Sequence, residues 1–268
     1  PGTGTHRETN MNDKHNQLDW MVAQAKTGRM TRREFVGRTT ALGVSAGLAS
    51  ALFGKAVQAQ EAKKGGTIRV GMQGGESTNS LDPALAASEV PFQVNMTWGE
   101  LLCDVKPDGS IDLRIAEEIS SSPDAKEWKF KIRQGVEYHG GGTVTAEDVV
   151  ATLKRHTDEK AQSGALGIVQ GIADMKAEGD MVTLTLNAAN ADLPYLMADY
   201  HLMIQPGGGM DNPAAGIGAG PYQVVVNEPG VRHTFKKHAN YFDPTIGHAD
   251  EVEILVINDN TARTAALQ

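Results

Sequence analysis

The sequence has very little cysteine. Cys103 is the only cysteine among 268 residues, so the chain cannot form an internal disulfide, and it has no Cys-x-x-Cys pair for zinc binding or thiol redox chemistry. If the protein works outside the cytoplasm, its stability there must therefore come from packing rather than from cross-links.

Positive charge is also scarce. The chain carries 25 Lys and Arg against 33 Asp and Glu, a formal net charge of −8. Binding to a nucleic-acid backbone needs a clustered basic face, and the basic residues here are scattered. The pair Lys236–Lys237 is better explained as the solvated end of a strand. We therefore expect no nucleic acid among the partners.

No uncharged apolar run reaches the roughly 20 residues that span a bilayer. The longest one, Thr39 to Phe53, follows Arg32, Arg33 and Arg38, and small residues at Val57–Ala59 come after it. A basic start, an apolar stretch and a small-residue cleavage site are typical of an export signal. A surface helix with chance basic residues is the alternative.

The stretch TRREFVG, residues 31–37, refines this prediction. It resembles the twin-arginine export signal, in which Arg32 and Arg33 follow Ser or Thr and an apolar residue, here Phe35, stands two places further on. We assign residues 30–59 to this signal and place its cleavage between Ala59 and Gln60. A lipoprotein needs Cys where Gln60 stands, so we expect a soluble periplasmic protein without a lipid anchor.

Residues 1–29 form an amino-terminal extension of the signal, predicted to be disordered or weakly helical. The helical spacing is carried by Leu18, Met21, Val22 and Ala25. The start codon stays open between Met11, Met21 and Met30. Residues 60–268 are then the mature domain, long enough for one substantial core or two small lobes.

Motifs of enzymes are lacking as well. The glycine-rich stretches fit neither a dinucleotide-binding fingerprint nor a P-loop, and no Gly-x-Ser-x-Gly elbow occurs. His233 and His238 stand five residues apart, which does not align two metal ligands on a helix. The sequence therefore predicts no catalytic residue, no metal and no cofactor.

The mature part mixes strands and helices without regular alternation, which indicates an α/β or α+β domain. Residues 145–155 give the strongest helix, with Thr145 as N-cap and Asp148 three residues later. The stretch DEVEILVIND, residues 250–259, contains a continuous apolar run and is predicted to form a strand buried on both faces. Residues 192–204 are predicted to form a short helix followed by an apolar strand. The remaining predicted strands lie at residues 67–72, 127–133, 181–187, 222–228 and 231–237.

Five segments, in order, resemble the peptide- and nickel-type solute-binding proteins of ABC importers. They are GGTIRV from Gly65, SLDP from Ser80, WKFKIRQGVEYHGGGTVTAEDV from Trp128, GAGPY from Gly218 and NYFDPTIGHADEVEILVI from Asn240. The departures are small: Ala219 stands where Thr is common, Phe242 replaces a frequent Trp, and no polar residue follows His139. The resemblance covers Gly65 to Gln268.

The resemblance implies a periplasmic-binding-protein-like fold of type II, in the peptide-binding cluster. The chain would hold lobe I with a mixed sheet and lack the second lobe, because family members run considerably longer. It also implies a monomeric periplasmic receptor for di- or oligopeptides or similar small solutes. Its partners would be an ABC permease and ATPase complex, besides the twin-arginine translocase that exports it.

Ligand contacts in lobe I are expected on loops at strand ends. The loop after the first strand offers Gly75 for close backbone approach and Glu76, Ser77 and Asn79 as polar partners; a capped surface loop is the alternative. Further candidates are Trp98 and Met203, placed on a helix and on the predicted strand of residues 192–204. For both, a place in the core is the alternative.

Two other functions stay open from the sequence. Twin-arginine export often serves proteins that fold around a cofactor, so an exported cofactor enzyme is one rival, although the sequence lacks the ligand cluster that it predicts. A sensor or chaperone-like binding protein without its own importer is the other. Identifying the inner-membrane proteins that bind it would distinguish this function from that of a transport receptor.

Overall fold

The computed structural model describes residues 17–25, 29–58 and 64–267. The chain divides into two compact units, Pro1–Lys63 and Lys64–Gln268. The predicted cleavage residues Ala59 and Gln60 lie outside the described residues, as do the first 16 positions of the predicted extension.

The first unit is helical wherever it is described. Helix α1 covers residues 17–25, α2 covers Arg32–Ala41 and α3 covers Ala46–Gln58. Helix α2 begins with a capping box, in which the Thr31 side chain accepts from the backbone of Glu34 and the Glu34 side chain accepts from the backbone of Thr31.

The second unit contains ten strands and five α-helices among its described residues. In chain order they are β1 Thr67–Met72, α4 Glu89–Trp98, β2 Cys103–Val105, β3 Ile111–Leu113, β4 Ala116–Ser121, β5 Glu127–Ile132, α5 Ala146–Arg155, α6 Leu166–Val169, β6 Ile172–Glu178, β7 Met181–Leu186, α7 Leu193–Leu196, β8 Tyr222–Glu228, β9 Arg232–Lys237, β10 Glu251–Val256 and α8 Asn260–Ala265.

The strands form two four-stranded sheets and one hairpin. The first sheet has the order β1-β10-β9-β8, and the second has the order β4-β5-β7-β6. Strands β1 and β10 run parallel, whereas their neighbours pair antiparallel. The first sheet is therefore mixed, as expected. Strands β2 and β3 form the separate hairpin.

The larger core lies on the second sheet and α5. Alternate residues of β5 and β7 face it, including Phe130, Ile132, Val182 and Leu184. The predicted capping box of α5 is confirmed: Asp148 N donates to Thr145 Oγ1 over 3.1 Å, and Thr145 N donates to Asp148 Oδ2 over 3.0 Å. This cap starts the helix at the position that turns its apolar face onto the sheet.

A smaller core joins α4 to the first sheet. It contains Trp98, Val94, Phe235 and Ile254, all 0–1% exposed. Its position matters for function, because it holds the carboxyl ends of β1 and β10 in place beside the amino-terminal end of α4.

Two predictions about this unit are wrong. Strand β10 is not buried on both faces: Ile254 is its only fully buried residue, and Glu253 on the outer face pairs with Arg69 across 2.8 Å. No strand follows α7 either. His201 to Gln205 are buried, but they pass through the core as irregular chain outside both sheets.

Candidate ligand-binding site

The loop after β1 lies at the carboxyl edge of the only parallel strand pair among the described residues. Strands β1 and β10 are aligned from Thr67 opposite Glu251 to Met72 opposite Val256. The segments that follow β1 and β10 therefore leave the sheet next to each other, at the same edge. In open α/β sheets, ligands bind in the crevice outside the carboxyl ends of strands. We call residues 73–80 the β1 loop.

Asn258, just after β10, holds the β1 loop from one side. Its Oδ1 accepts from Gly74 N over 2.9 Å, and its Nδ2 donates to Gly75 O over 3.0 Å. From the other side, Ser88 Oγ donates to Gly74 O over 2.6 Å. Ser88 is the N-cap residue of α4, but its hydroxyl binds the loop and does not cap the helix.

Neighbouring side chains leave no room for a Cβ atom at either glycine of the β1 loop. Gly74 has φ +82°, and a Cβ there would lie 2.1 Å from Glu89 Oε2. A Cβ on Gly75 would lie 2.6 Å from Cγ1 of Val256. Gly75 is buried, and its Cα lies close to Val256 of β10 rather than to open space. A ligand could therefore approach only the backbone of the residues next to Gly75, not Gly75 itself as predicted.

The next residues present polar side chains to solvent. Glu76 and Ser77 are exposed, while Asn79 is half-buried. Asn79 Oδ1 accepts from Glu76 N over 2.7 Å, and Asn79 N donates to Glu76 O over 3.0 Å. This turn uses the Asn79 side chain to shape the loop, which leaves the Glu76 carboxylate and the Ser77 hydroxyl at its tip.

The turn between β8 and β9 forms a second wall beside this tip. Gly230 has φ +77°, and a Cβ there would lie 2.8 Å from Ser77 N. The next residue, Val231, is 59% exposed, and its carbonyl accepts from Val256 N over 2.9 Å. The edge therefore combines an exposed apolar side chain with the polar loop.

Helix α8 adds a positive charge that the sequence reasoning missed. Arg263 Nη1 donates to Ile257 O over 2.7 Å, and its Nη2 donates to Gln73 Oε1 over 3.3 Å and also contacts Asn260 Oδ1. The helix is capped by Asp259, whose Oδ1 accepts from Ala262 N over 2.7 Å. In the sequence, only residues 258–261, whose side chains are of the kinds that cap helices, indicate that a helix begins here.

The two remaining candidates, Trp98 and Met203, lie away from this edge. Trp98 is 0% exposed in the smaller core, where a Cβ on Gly218 would lie 2.7 Å from its ring. Met203 is 1% exposed, and its sulfur fills the space beside Gly99. The structure thus brings Gly75, Glu76, Ser77 and Asn79 together and places Trp98 and Met203 among core side chains.

Met203 also lines a separate cavity of about 220 Å³, whose polar wall is a buried charge cluster. Arg114 Nη2 donates to Glu100 Oε2 over 3.2 Å, and Arg114 Nη1 donates to Asp243 Oδ2 over 2.9 Å. The Tyr241 hydroxyl contacts both Arg114 and Glu100. These side chains satisfy one another and connect the β2–β3 region to the segment before β10.

The electrostatics of this cluster follow from burial. Burial raises the pKa of Glu100, and the Arg114 charge and its hydrogen bonds oppose that shift. Burial opposes the charge of Arg114, but Glu100, together with Tyr241 and Asp243, outweighs this effect and raises the pKa of Arg114. The cluster is therefore an ion pair whose members hydrogen-bond to one another. This arrangement indicates a structural role, in which the cluster links two segments of the chain.

The described side chains and helices bear on metal binding, thiol reactivity and membrane insertion. No group of three or more His, Cys, Asp or Glu side chains there could hold a metal ion. Burial raises the pKa of the Cys103 thiol to about 12, so it carries almost no thiolate at neutral pH. Of the helices in residues 17–25, 29–58 and 64–267, none is long and apolar enough to cross a membrane.

The chain matches a known family. The model of the family described as "Bacterial extracellular solute-binding proteins, family 5 Middle" matches residues 110–268. This range runs from the β2–β3 hairpin to the end of the chain, and it includes β10, Asn258 and α8.

Curated proteins similar to the chain have related names. The probable peptide-binding protein YejA of Agrobacterium fabrum is 26% identical over 197 residues, which cover 68% of this chain and 31% of the relative. The glutathione-binding protein GsiB of Escherichia coli is 24% identical over 206 residues, covering 72% and 39%. The chain spans about a third of the length of these relatives.

Solved structures share the fold. The agropinic acid complex of AgaA from A. tumefaciens is 31% identical with a TM-score of 0.70, covering 75% of this chain and 42% of that one. The mannopinic acid complex of MoaA, also from A. tumefaciens, is 28% identical with a TM-score of 0.66, covering 77% and 43%. DppA of Helicobacter pylori, at 21% identity and a TM-score of 0.68, shows the fold alone. These matches confirm the expected periplasmic-binding-protein-like fold.

Proposed function

Because the chain belongs to family 5 of the bacterial extracellular solute-binding proteins, we propose that it is the substrate-binding component of an ABC importer. In this role it captures a small solute and delivers it to a permease and ATPase complex in the inner membrane. It makes and breaks no covalent bonds, so the relevant chemistry is recognition and conformational change.

The observation that carries this proposal is the construction of the carboxyl edge of β1 and β10. Asn258 and Ser88 fix the backbone of Gly74 and Gly75, so the tip of the β1 loop is presented on a rigid base. A preorganised loop loses little conformational entropy when a ligand binds. Glu76 and Ser77 at this tip are the contacts that we propose for lobe I, with Asn79 shaping the turn.

The charges at the edge favour a ligand with polar or charged ends. Glu76 offers a carboxylate for an ammonium or hydroxyl group, and the Arg263 guanidinium lies by Gln73 at the start of the same loop. Similar proteins are named for peptides, glutathione, agropinic acid and mannopinic acid. We therefore propose a di- or oligopeptide, or a similar small acid, as the solute.

A second lobe would complete the site. The solved structures that resemble the chain are more than twice as long as the part that it matches. In the proposed mechanism the β1 loop supplies one wall, and closure of the second lobe encloses the solute. The permease then recognises the closed form.

The proposed cellular location is the periplasm. Residues 30–59 would be a twin-arginine signal, with Arg32 and Arg33 read by the translocase and cleavage between Ala59 and Gln60. Residues 1–29 would extend this signal, and residues 60–268 would be the mature lobe I, monomeric and without a lipid anchor. The basic, apolar and small-residue order of the signal supports this proposal.

A thermal-shift screen tests the proposed function. The chain and a full-length form with the second lobe are heated with dipeptides, glutathione, nickel chelates and opine acids. A ligand at 100 times its Kd adds about 2.7 kcal/mol to the stability of the native state. We expect a solute to stabilise the full-length form, and a Glu76→Ala, Ser77→Ala variant to weaken that effect.

Lys129→Ala is the matched control, because Lys129 is exposed on the second sheet, away from the β1 loop. A solute that stabilises the full-length protein and both variants equally would overturn the proposed contacts but leave the receptor function standing. If no solute of these classes stabilises the full-length form, the importer proposal loses its support, and a search for inner-membrane partners would test the sensor alternative.

A further inference from the structure

The aromatic residue of the twin-arginine stretch is hidden inside the first unit. Phe35 is 0% exposed, whereas Arg32 and Arg33, which precede it in the same helix, are exposed. A receptor that reads this stretch would thus find its two charges at the surface and its apolar residue out of reach. This difference is unexpected for a segment that works as a recognition signal.

Two elements cover Phe35. Met21 and Ala25 on α1, together with Met30, form a buried cluster with it and are 4%, 2% and 6% exposed. From α3, the ring of Phe53 packs against the Phe35 ring, with centroids 5.5 Å apart and planes tilted by 55°. We call residues 17–25 together with Met30 the cover.

The start of the signal is also engaged within the protein. Thr31 Oγ1 donates to Glu34 Oε2 over 2.9 Å, and Thr31 N donates to the same oxygen over 3.0 Å. Further along, Thr39 Oγ1 donates to Phe35 O over 2.8 Å. The stretch is therefore a formed, capped helix with one face packed, rather than an extended segment that is free to bind.

The packing of the cover is loose on its outer side. An open groove of about 300 Å³ lies between the two helices, lined by Trp20 and Met21 of α1, by Arg38 and Ala41 of α2 and by Leu42 just after it. Trp20 is 52% exposed beside it. The side chains along this groove therefore make fewer contacts across the two helices than those of a close-packed core would.

We propose that the cover is an autoinhibitory contact that holds the export signal closed until the translocase, or a factor acting before it, releases Phe35. The proposal rests on the proposed twin-arginine export and on translation that begins at Met11 or further upstream, so that residues 17–25 are part of the precursor. A target whose binding-competent form is a minor population has its apparent affinity reduced by that fraction. The cover therefore slows export of the precursor while leaving the two arginines free for a first encounter.

The test uses the whole precursor in a bacterium with an active twin-arginine pathway. Met21→Asp places a charge in the cluster around Phe35 and should open the cover. Ala23→Asp, with the same charge on the same helix but at an exposed position, is the matched control. Minor states are commonly populated at 0.1–10%, so we expect Met21→Asp to raise the rate of processing by roughly tenfold over Ala23→Asp.

Two further measurements distinguish a failure of the cover inference from a failure of the export proposal and from misfolding of the variant. Reactivity of the buried Cys103 thiol in each variant reports whether the second unit is folded. A double variant, Arg32→Lys and Arg33→Lys, tests the signal itself. If that variant is processed normally, twin-arginine export is wrong. If it is blocked while Met21→Asp and Ala23→Asp are processed at equal rates with Cys103 protected, the cover inference is overturned and the export proposal stands.

Discussion

Arg114 and Glu100 form an ion pair inside the second unit, with 3.2 Å between Nη2 and Oε2 and 9% of each side chain exposed. Three further groups contact the same guanidinium: Asp243, the hydroxyl of Tyr241 and, at 3.5 Å, Asp112. The pair connects residues 14 positions apart, and Asp243 lies 129 positions from Arg114. It therefore joins segments that are distant in the sequence.

Removing one member of this pair should be severe. Arg114→Ala leaves the Glu100 carboxylate buried and unpaired, and such changes destabilise by about 3–5 kcal/mol. Unfolding in urea, followed by tryptophan fluorescence, measures the loss. Arg69→Ala is the control, because the Arg69 side chain that pairs with Glu253 is 72% exposed, and such a pair should contribute less than about 1 kcal/mol. Equal losses in the two variants would contradict the structural role of the cluster.

Asn258 should control the order of the β1 loop. Asn258→Ala removes the acceptor of Gly74 N and the donor to Gly75 O, at about 1–2 kcal/mol in total. We expect faster hydrogen exchange at the Gly74 amide. Asn258→Asp keeps the acceptor and should protect that amide while losing the bond to Gly75 O. If both variants exchange at the wild-type rate, Asn258 does not position the loop.

The buried His156 and the half-buried His139 should make stability depend on pH. Burial, with the Arg155 charge adding to it, lowers the pKa of His156 to about 3. Burial likewise lowers the pKa of His139 to about 4. The unfolded chain takes up these protons near pH 6.5, but the native state does not. Stability is therefore full above about pH 6.5 and falls as the pH drops toward 3 to 4.

For His156 alone, the linkage relation gives a loss of about 2 kcal/mol between pH 7 and pH 5. His156→Asn should flatten that part of the curve, because nothing titrates at the position. Ser163→Ala is the control: it removes the 2.6 Å hydrogen bond to His156 Nδ1 but keeps the titrating ring. A slope that survives in His156→Asn would show that other groups are responsible.

The sequence predicted those features that depend on neighbouring residues. The capping box of α5 needs only Thr145 and Asp148 three positions later, and it is present. The alternation of Trp128, Phe130 and Ile132 likewise identified β5, because one face of that strand is buried against the core. In both cases the deciding interactions lie within one turn or one strand.

Long-range pairing explains what the sequence did not predict. Strand β4, AEEISS, has a polar sequence and exists because β5 pairs with it. Strand β10 seemed apolar enough to be buried on both faces, but the charged Glu253 and its partner Arg69 set one face outward. For the candidate site, the loop was predicted, but Asn258, 183 to 184 residues away, carries no local signal.

The run Pro206–Gly209 offers a test of backbone fit. Gly208 has φ +69°, and a Cβ there would lie 2.4 Å from the carbonyl carbon of Ala151 in α5. Gly208→Ala should therefore combine left-handed strain of about 1–2 kcal/mol with overpacking of about 1–3 kcal/mol. Gly142→Ala is the matched control, since Gly142 has φ +81° with nothing within 4 Å of the added Cβ.

The control should lose only the strain contribution, so the difference between the two variants isolates the contact of residues 206–209 with α5. Thermal unfolding of both proteins measures it, and the melting temperature of Gly208→Ala should be clearly lower. Similar melting temperatures would mean that the chain moves away from Ala151 without loss. In that case the contact does not hold α5 in place, and the larger core alone fixes that helix.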